Sequence, residues 1–202
     1  MKLSQPYRAA SFEEHEAKAG ALADAEPDTF ANIVYSLLPK GSDANTAKDT
    51  PLHSTWHTDQ DWHKRAYGGV IVRPDGKFLL REPTNHFDGY AWTWPKGKMD
   101  SENEHPADTA IREVREETGF KTRIFDAVPG NFPSRTGSST NLYLMRTDGE
   151  PERTDWETRE LQWASHDEAK KLIEQSPNEL GRLRDLAILE SANKLLEKYK
   201  AK

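Results

Sequence analysis

The sequence predicts an α/β domain in which helices cover the faces of a mixed β-sheet, and three features predict it. Residues 67–82, YGGVIVRPDGKFLLRE, form two strand-like runs around the turn formers Pro74, Asp75 and Gly76. Ala107, Ala110, Ile111 and Val114 recur at steps of three and four, the spacing of one buried helix face. Strand-like and helix-like segments are then interleaved to the end of the chain, which favours a single sheet with helices packed on it.

Taken in order, AWTWPKGK reads as a short strand ended by Pro95. A helix follows from Pro106, a residue suited to a first helical position, to Thr118, and Gly119 suits its end. FKTRIFDAV, TNLYLMR and RELQWAS read as further strands, and HDEAKKLIEQ as a helix. A longer helix runs from Pro177 onward, with Leu183, Leu186, Leu189, Ala192, Leu196 and Tyr199 approximating one face. Residues 1–62 differ from all this: they form a polar N-terminal extension, and the domain proper takes 63–202. Within the extension, Phe30, Ile33, Val34, Leu37 and Leu38 have the spacing of a short amphipathic helix closed by Pro39 and Gly41. Its apolar face would dock on the main domain or on a second copy of the chain, so a homodimer stays open.

Composition excludes several functions. A chain of 202 residues holds one ordinary domain with an extension. The absence of cysteine removes disulfide frameworks, thiolate zinc sites and cysteine nucleophiles. With 28 basic and 34 acidic residues, 28 − 34 = −6, a general nucleic-acid or membrane-surface binder is disfavoured. The first residues lack the apolar core of a signal peptide and no apolar run approaches membrane-spanning length, so the expectation is a soluble, cytoplasmic protein. His53, His57 and His63 are spaced too loosely in a polar region for a zinc site.

The chemistry is concentrated in residues 97–120, GKMDSENEHPADTAIREVREETGF. Glu113, Glu116 and Glu117 fall at i, i+3 and i+4, so three carboxylates share one helix face beside the apolar stripe. Like charges at that spacing repel by roughly 0.2–0.5 kcal/mol per pair even when solvated. Partial burial would enlarge that cost, and a hard divalent cation would reverse its sign. A solvated, salt-bridged helix face is the alternative reading of the same residues, with Arg112 and Arg115 offsetting the repulsion.

The segment resembles the Nudix box. From Glu104 onward every fixed position of the box matches: seven residues, Arg112-Glu113-Val114, Arg115, Glu116-Glu117, Thr118, then Gly119-Phe120. One departure exists, six residues rather than five between Gly97 and Glu104. The flanking WTWPKGK and ETRELQWASHDEAKKLI are similar to the family's segments before and after the box, so the resemblance covers roughly residues 66–175.

The resemblance implies a Nudix-type α-β-α sandwich around a mixed β-sheet, with an N-terminal extension and a C-terminal helix. It implies hydrolysis of the diphosphate linkage in nucleoside diphosphate derivatives, with Mg2+ or Mn2+ as cofactor and a small nucleotide as partner. Glu113, Glu116 and Glu117 would be the metal ligands, and Glu104 and Arg112 would form a supporting ion pair near Gly97. The general base would be Glu113 or a later acid, Glu157 or Glu160. Lys96 and Lys98 would meet phosphate oxygens, and Trp94 would line the substrate, as Tyr90, Phe132 and Tyr143 could. Dinucleoside polyphosphates or related nucleotides come first as substrates. ADP-ribose, nucleotide sugars or a non-catalytic nucleotide-binding role are the alternatives.

Overall fold

The computed structural model describes residues 65–130, 132–133, 139–147 and 149–200. The amphipathic segment at 28–38 and the histidines at 53, 57 and 63 lie outside the described residues. Strands β1 (Ala66–Val72) and β2 (Phe78–Pro83) form an antiparallel pair. The turn between them is closed by the Gly76 amide donating to Arg73 O, and by Asp75, whose carboxylate accepts the Lys77 amide and the Arg73 guanidinium. The chain continues through β3 (Lys96–Lys98), α1 (Pro106–Thr118), β4 (Thr122–Ala127), β5 (Phe132–Pro133) and β6 (Ser139–Thr147). It ends with β7 (Thr158–Ala164), α2 (His166–Glu174) and α3 (Glu179–Lys200).

The sheet runs β4-β6-β1-β2-β7, with β3 also on β1 and β5 on β6. Strands β1 and β6 are parallel, and the other pairings among the described residues are antiparallel, so the sheet is mixed as expected. Alternation along β1 sends Ile71 to one face and Val70 and Val72 to the other. Tyr67, Ile71, Leu79, Tyr143 and Met145 pack against Ala107, Ala110 and Val114 of α1. Val70, Leu80, Trp94, Leu142 and Leu144 pack against Ala169 and Ile173 of α2 and against Ile188, Leu189 and Ala192 of α3. These are the two layers of an α-β-α sandwich, each fully buried aliphatic side chain contributing about 1.5–3 kcal/mol.

Local chemistry sets the helix ends. His105 caps α1 by accepting the Ala107 amide, and Gly119 ends it in the left-handed region at φ 72°. Ser165 and Glu168 form a reciprocal capping box on α2. The Asn178 side chain accepts the Gly181 amide at the start of α3.

Two sequence expectations change, and one strand is added. The strand expected before Pro95 lies after it: Thr93 makes only an isolated bridge to Arg81, and β3 begins at Lys96. Proline has no amide to give a ladder, and its carbonyl instead accepts from Gly69, so regular pairing with Ala66–Gly68 starts one residue later. The buried stripe of α3 is Asp185, Ile188, Leu189, Ala192 and Leu195, while Leu183 turns outward at 55% exposure. Strand β5 was not foreseen from the sequence.

Candidate active site

Helix α1 carries the three carboxylates on the face that meets β3. Gly97 sits directly against the Glu113 carboxyl, where any β-carbon would overlap it, so the glycine allows that approach. The Lys96 amide donates to Glu117 Oε2 at 2.7 Å. Two residues of one short strand therefore touch two of the three carboxylates. Glu116 remains exposed at the end of the same face.

Arg112 organises the periphery. Its Nε and Nη2 clasp Glu104 at 2.9 and 3.0 Å, Nη2 also donates to Lys98 O at 2.9 Å, and Nη1 reaches Glu113 and Glu116 at 2.9 and 3.0 Å. One guanidinium thus ties the loop, the strand and the helix together in the fork geometry that arginine favours. Burial works against ionisation of Glu104, but Arg112 and the Asp100 amide hold its carboxyl below the ordinary range. Glu113 behaves oppositely: burial pushes it up, more than Arg112 pulls it down, and Glu116 adds to the rise.

Glu117 is nearly inaccessible, and its partner was not legible as such in the sequence. Arg81 of β2, itself buried, makes an ion pair with Glu117 Oε1. The same guanidinium donates from Nη1 to Glu157 O at 3.1 Å and to Thr158 Oγ1 at 3.2 Å. Its Nε is buried and has no hydrogen-bond partner among the described residues. Burial pushes the Glu117 carboxyl up, opposed by Arg81 and Lys96. The loop before β7 is fixed to α1 as well, since the Asp155 amide donates to Glu116 O and the Glu152 amide to Gly119 O. Glu157 is exposed on that loop, joined to Glu117 through one arginine.

Several residues expected at the site lie elsewhere. Trp94 is fully buried in the α3-side core, edge-on to Phe78 with centroids 6.2 Å apart, and its indole N–H donates to Asp185 O. Phe132 and Tyr143 are core residues too. The Lys96 ammonium donates to Thr93 Oγ1 at 2.9 Å and Trp94 O at 3.1 Å, and its charge also acts on Glu117. Burial pushes that ammonium's pKa down, with Arg184 acting in the same sense. Glu160 stands opposite Glu82 on the sheet, whereas Arg81 and its neighbour Leu161 face α1. Alternation therefore puts Glu160 on the face away from the box helix. Lys98 remains exposed beside Gly97, and Tyr90 is half-buried.

Among the described residues, no three acidic or histidine side chains are already drawn together as a bound metal would draw them. They are engaged by guanidinium groups instead. The donor set nevertheless suits a hard cation: the oxygens are carboxylates, Glu113 and Glu117 are burdened by burial, and Glu113 raises the cost of ionising Glu117.

The comparisons agree with this architecture. The NUDIX domain family model matches residues 62–184. The MutT-like protein of Streptomyces ambofaciens is 29% identical over 131 residues, which take in 64% of this chain and 75% of that protein. The m7GpppN-mRNA hydrolase dcap-2 of Caenorhabditis elegans is 31% identical over 108 residues, 50% of this chain and 14% of that protein. Among solved structures, a C. elegans Ap4A hydrolase binary complex shares the fold with a TM-score of 0.54 at 21% identity, over 66% of this chain and 98% of that one. A NUDIX hydrolase from Nitrosomonas europaea does so with a TM-score of 0.52 at 17% identity, over 64% and 72%. The chain belongs to the NUDIX family and is a pyrophosphohydrolase. Among the described residues no helix is long and apolar enough to cross a membrane.

Proposed function

We propose that the chain hydrolyses the phosphoanhydride linkage of nucleoside diphosphate derivatives, with dinucleoside polyphosphates or related nucleotides as its first substrates, and that Glu113, Glu116 and Glu117 hold the Mg2+ or Mn2+ it needs. The observation that carries this reading is the meeting of Gly97 and Lys96 with Glu113 and Glu117. It brings two carboxylates of α1 against β3. A bound divalent ion would screen the polyanionic substrate and lower the pKa of attacking water.

The chain's own residues divide the remaining work. Arg112 and Glu104 keep the loop and helix in register. Arg81 holds Glu117 and the backbone of Glu157 on one guanidinium, which fixes the later acid relative to the box. Glu157 is the residue we assign to take the proton from water, because it is exposed and Glu160 faces away. Lys98 is the residue we assign to meet a phosphate oxygen, because it is an exposed point charge beside Gly97. The likeness to an m7GpppN-mRNA hydrolase supports the substrate class, since that name describes two nucleosides joined through phosphates.

The test is product release from dinucleoside polyphosphates, ADP-ribose and nucleotide sugars with Mg2+, comparing the unaltered protein with Glu117→Gln. Turnover should require metal and fall by on the order of 10³-fold in the variant, the several kcal/mol a metal supplies. Saturable nucleotide binding without turnover on any compound would overturn the reading in favour of a binding module.

A further inference from the structure

We propose that Asp185 of α3 is a positioning residue for the hydrolysis, acting through Thr93 and Lys96 to hold β3 against Glu113 and Glu117. The inference rests on the metal-carboxylate reading given above. It starts from a row of buried polar groups that the reaction itself does not use. Thr93 is 1% exposed and Asp185 is inaccessible. The Thr93 hydroxyl donates to Asp185 Oδ2 at 2.5 Å and accepts from Lys96 Nζ at 2.9 Å. That uses the hydroxyl's single proton on one side and a lone pair on the other, so no other side chain of that shape satisfies both neighbours.

The row continues in both directions. Asp185 Oδ1 accepts Arg184 Nε at 2.9 Å and Nη2 at 2.7 Å, and Asp185 O accepts the Trp94 indole at 3.1 Å. Arg184 and Lys96 both lie over the Tyr90 ring, at 5.4 and 5.2 Å from its centroid. At the other end, the Lys96 side chain and backbone point to different masters. Its tip is held by Thr93 and Trp94 O, and its amide holds Glu117. The next residue, Gly97, abuts Glu113. Lys96 is thus pinned at its tip by groups tied to α3 and at its backbone by a carboxylate of α1. Both holds fall on one residue, so losing the one on the tip leaves β3 less restrained at the residue that meets Glu117.

A buried arginine–aspartate pair could serve stability and nothing more. The route through a single hydroxyl distinguishes the two roles, because Thr93→Val removes the link without removing either charge.

The experiment is calorimetric titration of the substrate-free protein with Mn2+, together with kcat and KM for a dinucleoside polyphosphate, on Thr93→Val, Thr93→Ser and the unaltered chain. Thr93→Val should bind Mn2+ about tenfold or more weakly, within the range seen when groups behind metal ligands are removed. Its kcat should fall in step while KM for nucleotide holds, and Thr93→Ser, which keeps the hydroxyl, should match the unaltered protein. If Thr93→Val does not fold, Lys96→Met cuts the same link from the other side and should show the same loss. Mn2+ affinity unchanged in a folded Thr93→Val or Lys96→Met would overturn the proposal, as would equal losses in Thr93→Ser. No Mn2+ binding by the unaltered protein would instead sink the metal-carboxylate reading, and this inference with it.

Discussion

Helices α1 and α3 each carry charge against the sheet, and they handle it in opposite ways. Around α1, four carboxylates (Glu104, Glu113, Glu116 and Glu117) are met by two guanidinium groups, Arg112 and Arg81. Around α3, Asp185 is met by Arg184 directly and by Lys96 through Thr93. The first cluster is short of positive charge and reaches the surface at Glu116. The second is buried, and every carboxylate oxygen in it has a partner. Unfilled demand for a cation marks a place where something binds, and a satisfied buried network marks a place where something is held.

The comparison can be strained first where the effect is largest. Arg184→Met would leave Asp185 inaccessible and without its bidentate partner. Breaking a buried pair from one side costs about 3–5 kcal/mol. Urea unfolding should show that loss, and a loss below about 1 kcal/mol would mean that the α3 cluster is less dry than its burial indicates. Gly97→Ala strains the other cluster. The added methyl meets the Glu113 carboxyl, which must move, and a displacement of about 1 Å at a reacting group costs on the order of 10²-fold in rate. The melting temperature should change little, because the methyl meets the end of a flexible side chain and not backbone. An unaltered kcat would show that Glu113 can shift without consequence for chemistry.

The two clusters were also unequally legible. The shared face of the three α1 carboxylates follows from spacing, because a helix period fixes which residues share a face, and the start at Pro106 and stop at Gly119 follow from residue type. The mixed sheet and both closing helices were legible from periodicity and turn formers. Arg81 was not, since nothing local in FLLREP says that a strand residue will meet Glu117 from another element across the sheet. Asp185 was hidden for a related reason. Ranking α3 by apolar residues selects Leu183 and passes over an acid on the buried face, whose burial is made tolerable by Arg184 beside it and by the Thr93 hydroxyl from another element. Trp94 proves to be a core residue because its indole packs on Phe78 and bonds α3, contacts from distant elements that the local sequence does not reveal.

The smallest expected effect separates the loop's ion pair from the three carboxylates of α1. Glu104 titrates below its ordinary value of 4.5 when folded, held there by Arg112 and the Asp100 amide against the cost of burial. A carboxyl with a depressed folded pKa binds fewer protons in the folded than in the unfolded state. Its contribution is therefore complete above 4.5 and is lost as pH falls through the lower folded value. In metal-free buffer, Glu104→Gln should be less stable than the unaltered protein near neutrality by about 1 kcal/mol, the upper end for a partly exposed pair. The two melting curves should converge as the pH falls below that range. A difference that persisted undiminished in acid would mean that Glu104 acts through packing, and that charge shortage around α1 is confined to Glu113, Glu116 and Glu117.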